Sequence, residues 1–208
     1  MKKYELTAEF IEKWGKKLFR IKALISFGSV EVGELGGYVE KEDNLAQTGN
    51  AWVSGNAWVS GNARVSGDAW VSGNARVYGD ARVYGDAEVS GDAWVYGDAW
   101  VSGNAWVSGN ARVYGDARVY GDAEVSGDAW VSGNADYLLI GRIGSRFGFT
   151  TFFKNKEKGI TVSCGCFLGT IAEFRAKVTD THGDNKHAKM YNMAADMAEL
   201  QILGEEDE

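Results

Sequence analysis

The residues best suited to chemistry lie near the C-terminus. Cys164 and Cys166 are separated by one residue, and His182 and His187 follow them in the chain. Structural zinc sites use thiolate and imidazole ligands, so these four residues are candidate metal ligands. Cys164 and His182 would also form a nucleophile and base if the fold brought them together. The alternative is that both cysteines are small buried residues on one face of a strand and that His182 ends a helix; we expect no metal or other cofactor.

A second candidate site is the segment GRIGSR, residues 141–146. Its glycines supply backbone flexibility, while Arg142, Ser145 and Arg146 supply two cations and a hydroxyl group. Such a segment suits an anion, although short loops rich in Gly and Arg are also common without any ligand. The sequence therefore indicates a possible anion-binding site and does not name the anion.

These residues belong to a C-terminal region, residues 137–208, that we predict to be a small α+β domain. YLLIG, FTTFFKN and ITVSCGC are typical of strands, the last two joined as a hairpin by KEKG. Thr170 and Glu173 form a capping box for a helix that would end at Gly183. A second helix starting at Asp184 would place four residues on one face: Met190, Met193, Ala194 and Met197. We expect the acidic tail, residues 205–208, to be disordered.

The middle of the chain is an internal repeat. Residues 49–132 are fourteen hexads of the form Gly-Asn/Asp-Ala-x-Val-Ser/Tyr. In an extended strand Ala and Val face one side, while x and Ser/Tyr face the other. The Gly-Asn/Asp pair suits a tight corner, because Gly accepts a positive φ and Asn or Asp tolerates the left-handed region. The pattern predicts a parallel β-coil whose bore is filled by Ala and Val and has no room for a ligand.

Hexads such as Val-Ser-Gly-Asn-Ala-Trp resemble those of the hexapeptide-repeat proteins. The resemblance implies a left-handed parallel β-helix with three hexads per coil. The segments LGGYVEKEDNL, VSCGCF and THGDN are similar to those of hexapeptide-repeat proteins from prophages and their Gram-positive hosts. Many hexapeptide proteins are acyltransferases with a catalytic His on the coil or on a projecting loop. Residues 49–136 contain neither a His nor an interrupting loop, which leaves enzyme activity uncertain and favours a protein that is not an enzyme.

If residues eighteen apart stack, the x positions sort into three columns. The second column alternates strictly and has tyrosines two residues beyond its middle members: Trp58, Arg76, Trp94, Arg112 and Trp130, with Tyr78, Tyr96 and Tyr114. Trp, Tyr and Arg dominate binding hot spots and can stack as cation–π pairs. We therefore predict a surface for a protein partner or for self-association. The alternative is that these side chains only cover the strand backbone.

The N-terminal residues 1–48 look like a cap on this coil. Two alternating runs on either side of Lys13-Trp14-Gly15-Lys16 predict a β-hairpin. The segment that follows approaches the hexad pattern imperfectly, with Leu45 at the Ala position, and is typical of a degenerate first coil. The predicted domains are thus residues 1–48, 49–136 and 137–208, and the fold class is mainly β.

Composition limits the function further. The net charge of −7 and the corner aspartates disfavour nucleic acid as a partner. The chain has two cysteines, no run of ~20 apolar residues and no apolar segment of signal-peptide type, so we expect a cytoplasmic homo-oligomer that does not enter membranes. Our hypothesis is a non-enzymatic binding protein, in the form of a phage inhibitor or sequestering factor that acts on a host defence protein. The alternatives are a structural or assembly module and a hexapeptide-type acyltransferase.

Overall fold

The computed structural model describes residues 2–204. Met1 and the acidic tail that we expect to be disordered lie outside the described residues. Within this range the protein is mainly β: a solenoid of about five turns leads into a small C-terminal region that contains two α-helices. In the described residues, none of the helices combines the length and the hydropathy that a membrane crossing requires.

The N-terminal segment contains the predicted hairpin. Strands β1 (Tyr4–Lys13) and β2 (Lys16–Ala23) pair antiparallel around a turn at residues 14–15. Strand β3 (Leu35–Val39) pairs antiparallel with β2 and parallel with the strand at residues 58–59. The hairpin therefore continues one sheet of the solenoid.

The degenerate first coil has a different register from the one expected. A 3₁₀ helix, Glu42–Asn44, leads to Leu45, which pairs with Val65. Leu45 thus occupies the Val position of its hexad, and the expectation that it occupies the Ala position is wrong. The reason is an insertion: residues 47 and 48 separate this hexad from the regular repeat that begins at Gly49.

Each regular hexad forms one strand of two residues, x-Val. Strands β4 to β17 are Trp52–Val53, Trp58–Val59, Arg64–Val65, Trp70–Val71, Arg76–Val77, Arg82–Val83, Glu88–Val89, Trp94–Val95, Trp100–Val101, Trp106–Val107, Arg112–Val113, Arg118–Val119, Glu124–Val125 and Trp130–Val131. Strands eighteen residues apart pair in parallel, so every third strand belongs to the same sheet. We call the sheet that starts at β4 the first face, the one that contains β5 the second face, and the one that starts at β6 the third face.

The predicted filled bore is confirmed. The Ala and Val side chains of all fourteen hexads are at most 1% exposed. Burying a Val contributes ~1.5–3 kcal/mol relative to exposure, so the repeat supplies its own hydrophobic core. The corner glycines from Gly49 to Gly127 have φ between +63° and +76°, a region in which L side chains are strained.

The two ends of the coil leave backbone groups that the neighbouring segments must cap. Backbone N–H groups of one coil donate to carbonyls of the next: Trp58 N, for example, lies 3.0 Å from Ala75 O. The carbonyls of the first coil therefore have no preceding coil to donate hydrogen bonds to them, and the donors must come from the N-terminal segment. Lys3 Nζ lies 2.8 Å from Ala51 O, and Asn44 Nδ2 lies 2.8 Å from Ala63 O. Burial lowers the pKa of Lys3 to about 8, although the charge of Asp68 opposes this.

At the C-terminal end of the coil, N–H groups that have no following coil need acceptors from the C-terminal region. Thr151 Oγ1 accepts from Glu124 N at 3.0 Å. The Asp136 carboxylate accepts from Ser132 N at 2.8 Å and from Gly133 N at 3.1 Å, and pairs with Lys154 at 3.1 Å. Asp136 thus ends the coil at a 3₁₀ helix, Asn134–Asp136.

The C-terminal region is a four-stranded antiparallel sheet covered by two helices. Its strands are β18 (Tyr137–Ile143), β19 (Gly148–Lys154), β20 (Ile160–Cys164) and β21 (Phe167–Thr170). Helix α1 is Ile171–His182 and helix α2 is Lys186–Leu203. One side of the sheet packs Phe153 on the last coil, and the other packs Phe152 on the helices.

The sequence predicted most of these elements, with two differences. The capping box of Thr170 and Glu173 begins α1 as expected. Helix α2 begins after Asn185, whose side chain accepts from the backbone N–H of His187 and Ala188, and not at Asp184. Strand β21 was not predicted, because its four residues, FLGT, have no alternation of apolar and polar residues.

The methionines of α2 do not face the core. Met190, Met193 and Met197 are 40%, 65% and 56% exposed, whereas Ala194 is buried. The buried face consists of smaller residues together with one aromatic and one aliphatic side chain: Ala188, Tyr191, Ala194, Ala195, Ala198 and Ile202. Helix α2 lies close to the sheet, with Gln201 Nε2 2.7 Å from Tyr137 O. Small residues are needed at so close a contact, so the longer methionine side chains face outward.

Candidate functional site

The second face carries a continuous stack of rings and guanidinium groups. Arg76 lies 4.5 Å from the Trp94 ring centroid. Arg112 lies 4.9 Å from the Trp94 centroid and 5.2 Å from that of Trp130. Arg112 is therefore held between two indoles, each contact being worth ~0.5–1 kcal/mol at an exposed site. The hexad register fixes this alternation, because x residues eighteen apart occupy adjacent strands.

A ladder of tyrosines runs beside this stack. The ring centroids of Tyr78 and Tyr96 are 5.0 Å apart, and those of Tyr96 and Tyr114 are 5.1 Å apart, with planes within 6° of parallel. Burial is the main cause that raises the pKa of Tyr78 and of Tyr96, and the neighbouring tyrosine adds to it while Arg112 opposes it. These hydroxyls therefore stay protonated through the physiological range and can both donate and accept hydrogen bonds.

The protein's own hairpin covers the N-terminal end of the second face. The Trp14 ring, in the β1–β2 turn, lies 5.0 Å from Trp58, 5.2 Å from Tyr78 and 6.2 Å from Trp94. Trp58 is consequently only 4% exposed, and it packs in a small cluster with Leu18. Trp58 is therefore not available as a contact surface, although the sequence grouped it with the others. We did not predict from the sequence that Trp14 contacts this column. The one indication of such a contact was a large aromatic side chain at a hairpin turn.

The part of the second face beyond the hairpin stays accessible. It consists of Trp94, Tyr96, Arg112, Tyr114 and Trp130, and we call it the open column. Trp130 is 37% exposed and the other four side chains are half-buried. Their shared exposure and mutual stacking make the open column a preorganised surface of aromatic and cationic groups.

The other two faces provide useful comparisons. On the first face, Trp52 is fully buried beneath Tyr4 and Phe27 of the N-terminal segment. On the third face, Arg82 and Arg118 lie 5.0 Å and 5.1 Å from the Trp100 ring centroid. The third face thus repeats the Arg–Trp–Arg stack, but it has no continuous tyrosine ladder.

A cleft of about 540 Å³ lies where the C-terminal region meets the last coil, and we call it the junction cleft. It is lined by Asp122, Glu124, Ser145, Arg146, Gly148, Phe149, Thr151, Ser163, Cys164, Gly165, Cys166, Phe167, Phe174, Lys177, Val178, Thr181, His182 and Tyr191. The fold therefore brings two of the predicted anion-binding residues, Ser145 and Arg146, to the same cleft as Cys164, Cys166 and His182. Arg142 is not part of the lining; its guanidinium lies 6.0 Å from the Phe149 ring centroid.

The proposed metal ligands do not assemble into one set. Cys164 ends β20, whereas Cys166 lies in the turn at Gly165, so the two cysteines do not share a strand face as expected. The chain reverses there because Gly165 adopts φ +60°. His182 and His187 have ring centroids 5.8 Å apart, and Cys164 Sγ lies 3.2 Å from Thr150 Oγ1. Across residues 2–204, no three His, Cys, Asp or Glu side chains are grouped closely enough to hold a metal ion.

The sequence comparisons agree with the coil geometry. A family model described as the YdcK beta solenoid repeat matches residues 57–73, 69–85, 75–91, 81–97, 105–121, 111–127 and 117–133. All of these segments lie within the solenoid. No curated protein matches the chain. The fold and the repeat matches together define a repeat β-solenoid protein.

Proposed function

We propose that the chain is a non-enzymatic binding protein and that the open column contacts a protein partner. The observation that carries this proposal is the position of Arg112, which is held between Trp94 and Trp130 at 4.9 Å and 5.2 Å from their ring centroids. A guanidinium fixed in this way keeps its edge donors for an acceptor outside the chain. Side chains held before binding lose little conformational entropy when the partner arrives.

The chemistry of the open column indicates the kind of partner. Its rings offer apolar area, its tyrosine hydroxyls donate or accept hydrogen bonds, and Arg112 adds one positive charge. A complementary surface would have an apolar centre with a carboxylate opposite Arg112. Within the same proposal, the coil is left-handed and related to the prophage-type hexapeptide proteins, and the partner is a host defence protein that is inhibited or sequestered in the cytoplasm. The six-residue period and the three strands per turn support that relationship.

Replacing Arg112 and Trp130 by Ala should abolish capture of the partner. Each hot-spot truncation costs ~2 kcal/mol or more, which is ~30-fold. The costs of two residues in contact do not fully add, so the double variant should bind at least ~100-fold more weakly. The tagged protein is used to recover partners from host lysate, and affinity for the recovered protein is then measured by biolayer interferometry. The matched control is Trp100→Ala with Arg118→Ala, which removes the same residue types from the third face.

The control variant should retain the affinity of the natural sequence. Loss of binding in both double variants would show that the coil is disturbed generally, and retention of binding in both would remove the open column as the contact surface. Recovery of no partner at all would favour the structural alternative.

A second candidate function, an assembly module, is favoured by the surface of α2. Met190, Met193, Met197 and Leu200 recur at three- and four-residue intervals and form an exposed apolar stripe. The charges beside the stripe are divided along the helix: Lys186 and Lys189 are near its start, and Asp196 and Glu199 are in its second half. Two copies of α2 that pack antiparallel would bury both stripes. The lysines of one copy would then lie near Asp196 and Glu199 of the other, which also pair with Arg175 of α1 at 2.7 Å and 2.8 Å.

Introducing Glu at both Met193 and Met197 should convert an oligomer to a monomer. Two carboxylates buried against each other across a two-fold axis would be strongly unfavourable. The molar mass is measured by light scattering after size exclusion at ~100 µM protein. The matched control places Glu at the exposed Ala172 and Ala176 of α1 and should leave the mass unchanged. A monomeric natural sequence at this concentration would contradict assembly through α2.

A further inference from the structure

The junction cleft has dimensions that suit a small organic molecule. Its volume of about 540 Å³ lies within the ~300–1,000 Å³ that is usual for ligand pockets. Its walls come from the last coil, from two strand turns and from both helices, so it exists only in the folded protein. Neither the solenoid repeat nor the open column accounts for it.

One part of the cleft is cationic. Arg146 lies in the turn between β18 and β19, and Lys177 lies on α1. Lys177 Nζ is 3.2 Å from Asp180 in an exposed pair, whereas Arg146 has no salt-bridge partner within the described range. Arginine offers several donors in one plane, which suits a phosphate or carboxylate, and lysine adds a point charge.

Another part of the cleft is aromatic. The rings of His182 and Tyr191 have centroids 5.7 Å apart and planes 27° apart, and Phe174 meets Tyr191 edge-on at 5.7 Å. An added Cβ at Gly144, in the β18–β19 turn, would meet the Tyr191 hydroxyl, so this hydroxyl packs against the turn that carries Arg146. Burial and Cys164 raise the pKa of Tyr191, while Arg146 opposes them. The cationic and aromatic parts are therefore adjacent, and they match a ligand that carries an anionic group near a flat ring.

The wall from the last coil adds hydrogen-bond acceptors. Glu124 accepts from Ser163 Oγ at 2.8 Å, which orients its carboxylate, and Asp122 lies on the same wall. These groups would repel a second anion but accept hydrogen bonds from hydroxyl or amino groups. A small inorganic anion would use neither the rings nor these acceptors.

From this arrangement we infer that the junction cleft binds a nucleoside monophosphate. Its phosphate contacts Arg146 and Lys177, and its hydroxyl or amino groups donate to Glu124. Its base packs on the half-buried rings of the lining: Phe149, Phe167 and His182. This site is independent of the open column, and no covalent step is involved.

Titration calorimetry with AMP, GMP, CMP and UMP tests the site. At least one nucleotide should bind with a dissociation constant below ~1 mM, equivalent to about −4 kcal/mol. The matching nucleoside and inorganic phosphate should each bind at least ~10-fold more weakly, because each retains only one set of contacts. Arg146→Gln and Lys177→Gln should each weaken binding by ~10-fold, since a charge-assisted hydrogen bond is lost.

Arg142→Gln is the matched control, because Arg142 belongs to the same GRIGSR segment but not to the lining. It should leave nucleotide affinity unchanged. Failure of all four nucleotides to bind at ~10 mM, or equal affinity in the Arg146→Gln variant, would overturn the inference. The double variant of Arg112 and Trp130 should still bind the nucleotide, so a failure of the open column and a failure of the cleft give different results.

Discussion

Asp136→Ala should lower the free energy of unfolding by ~2–4 kcal/mol, somewhat less than the loss of a fully buried pair, because Lys154 is 35% exposed. The carboxylate is the acceptor that ends the coil: it receives the N–H groups of Ser132 and Gly133 and pairs with Lys154. Alanine would leave these donors without a partner at a position from which water is largely excluded. Equilibrium unfolding in guanidinium chloride, monitored by tryptophan fluorescence, measures this loss of stability.

Lys154→Met is the matched control for this prediction. It removes the ion pair but keeps the backbone hydrogen bonds of Asp136, so its cost should be below ~1 kcal/mol, as for partly exposed pairs. Equal losses in the two variants would show that the ion pair, and not the capping of backbone N–H groups, is what Asp136 contributes.

The same residue predicts a dependence of stability on pH. Burial would raise the pKa of Asp136, but the hydrogen bonds from Ser132 and the charge of Lys154 outweigh it and hold the pKa below its ordinary value of 3.8. The folded state therefore binds this proton less readily than the unfolded state. The contribution of Asp136 is complete above about pH 3.8, where both states are ionised, and is lost as the pH falls through the lower, folded-state pKa. The Asp136→Asn variant should show a smaller loss over that range.

Gly91→Ala in the centre of the coil should lower the free energy of unfolding by ~2–5 kcal/mol. A residue other than Gly in the left-handed region costs ~1–2 kcal/mol, and overpacking adds ~1–3 kcal/mol. Gly91 has φ +67°, and an added Cβ would lie 3.0 Å from both the N and the O of Gly109 in the next coil. Neither backbone can move away without breaking the register of the stacked coils. The midpoint of guanidinium unfolding and its slope measure the change.

Gly15→Ala separates these two causes. Gly15 has φ +73°, but a Cβ there would meet nothing within 4 Å. Alanine at this position therefore introduces backbone strain without a close contact. The Gly15→Ala variant should lose only ~1–2 kcal/mol of its free energy of unfolding. If Gly91→Ala costs no more than Gly15→Ala, the tight stacking of corners does not limit which residues the repeat accepts.

The structure of the solenoid could be predicted from the sequence more completely than the structure of its two ends. The fixed letters of the hexad have one structural solution, because Ala and Val two residues apart must share a face and Gly must take the corner. The column order, including the position of Arg112 between Trp94 and Trp130, follows from a period of eighteen residues. The register of Leu45 could not be predicted, because an insertion of two residues in a degenerate hexad leaves no mark in the apolar pattern.

The candidate sites depended more on contacts between distant residues. The open column was predicted residue by residue, but the burial of Trp58 was not, since it results from Trp14 more than forty residues earlier in the chain. In the C-terminal region, the turn at Gly165 separates two cysteines that the sequence places side by side. The exposure of the α2 methionines could not be predicted, because helical periodicity shows that a face is apolar but not whether the protein covers it.

The sequence by itself determined the repeat and its core, because both depend on local spacing and on contacts that recur at every coil. The order of the columns followed from three hexads per coil, which the resemblance to hexapeptide-repeat proteins implies. Only the tertiary structure decided which columns stay accessible, how the two ends of the coil are capped and which residues line the junction cleft. These features arise where the repeat stops, and there each contact joins one particular pair of distant segments. Lys3 under the first coil and Asp136 after the last show the physical reason: backbone groups at each end of the coil have no neighbouring coil to pair with, and the fold must bring a donor or an acceptor to each.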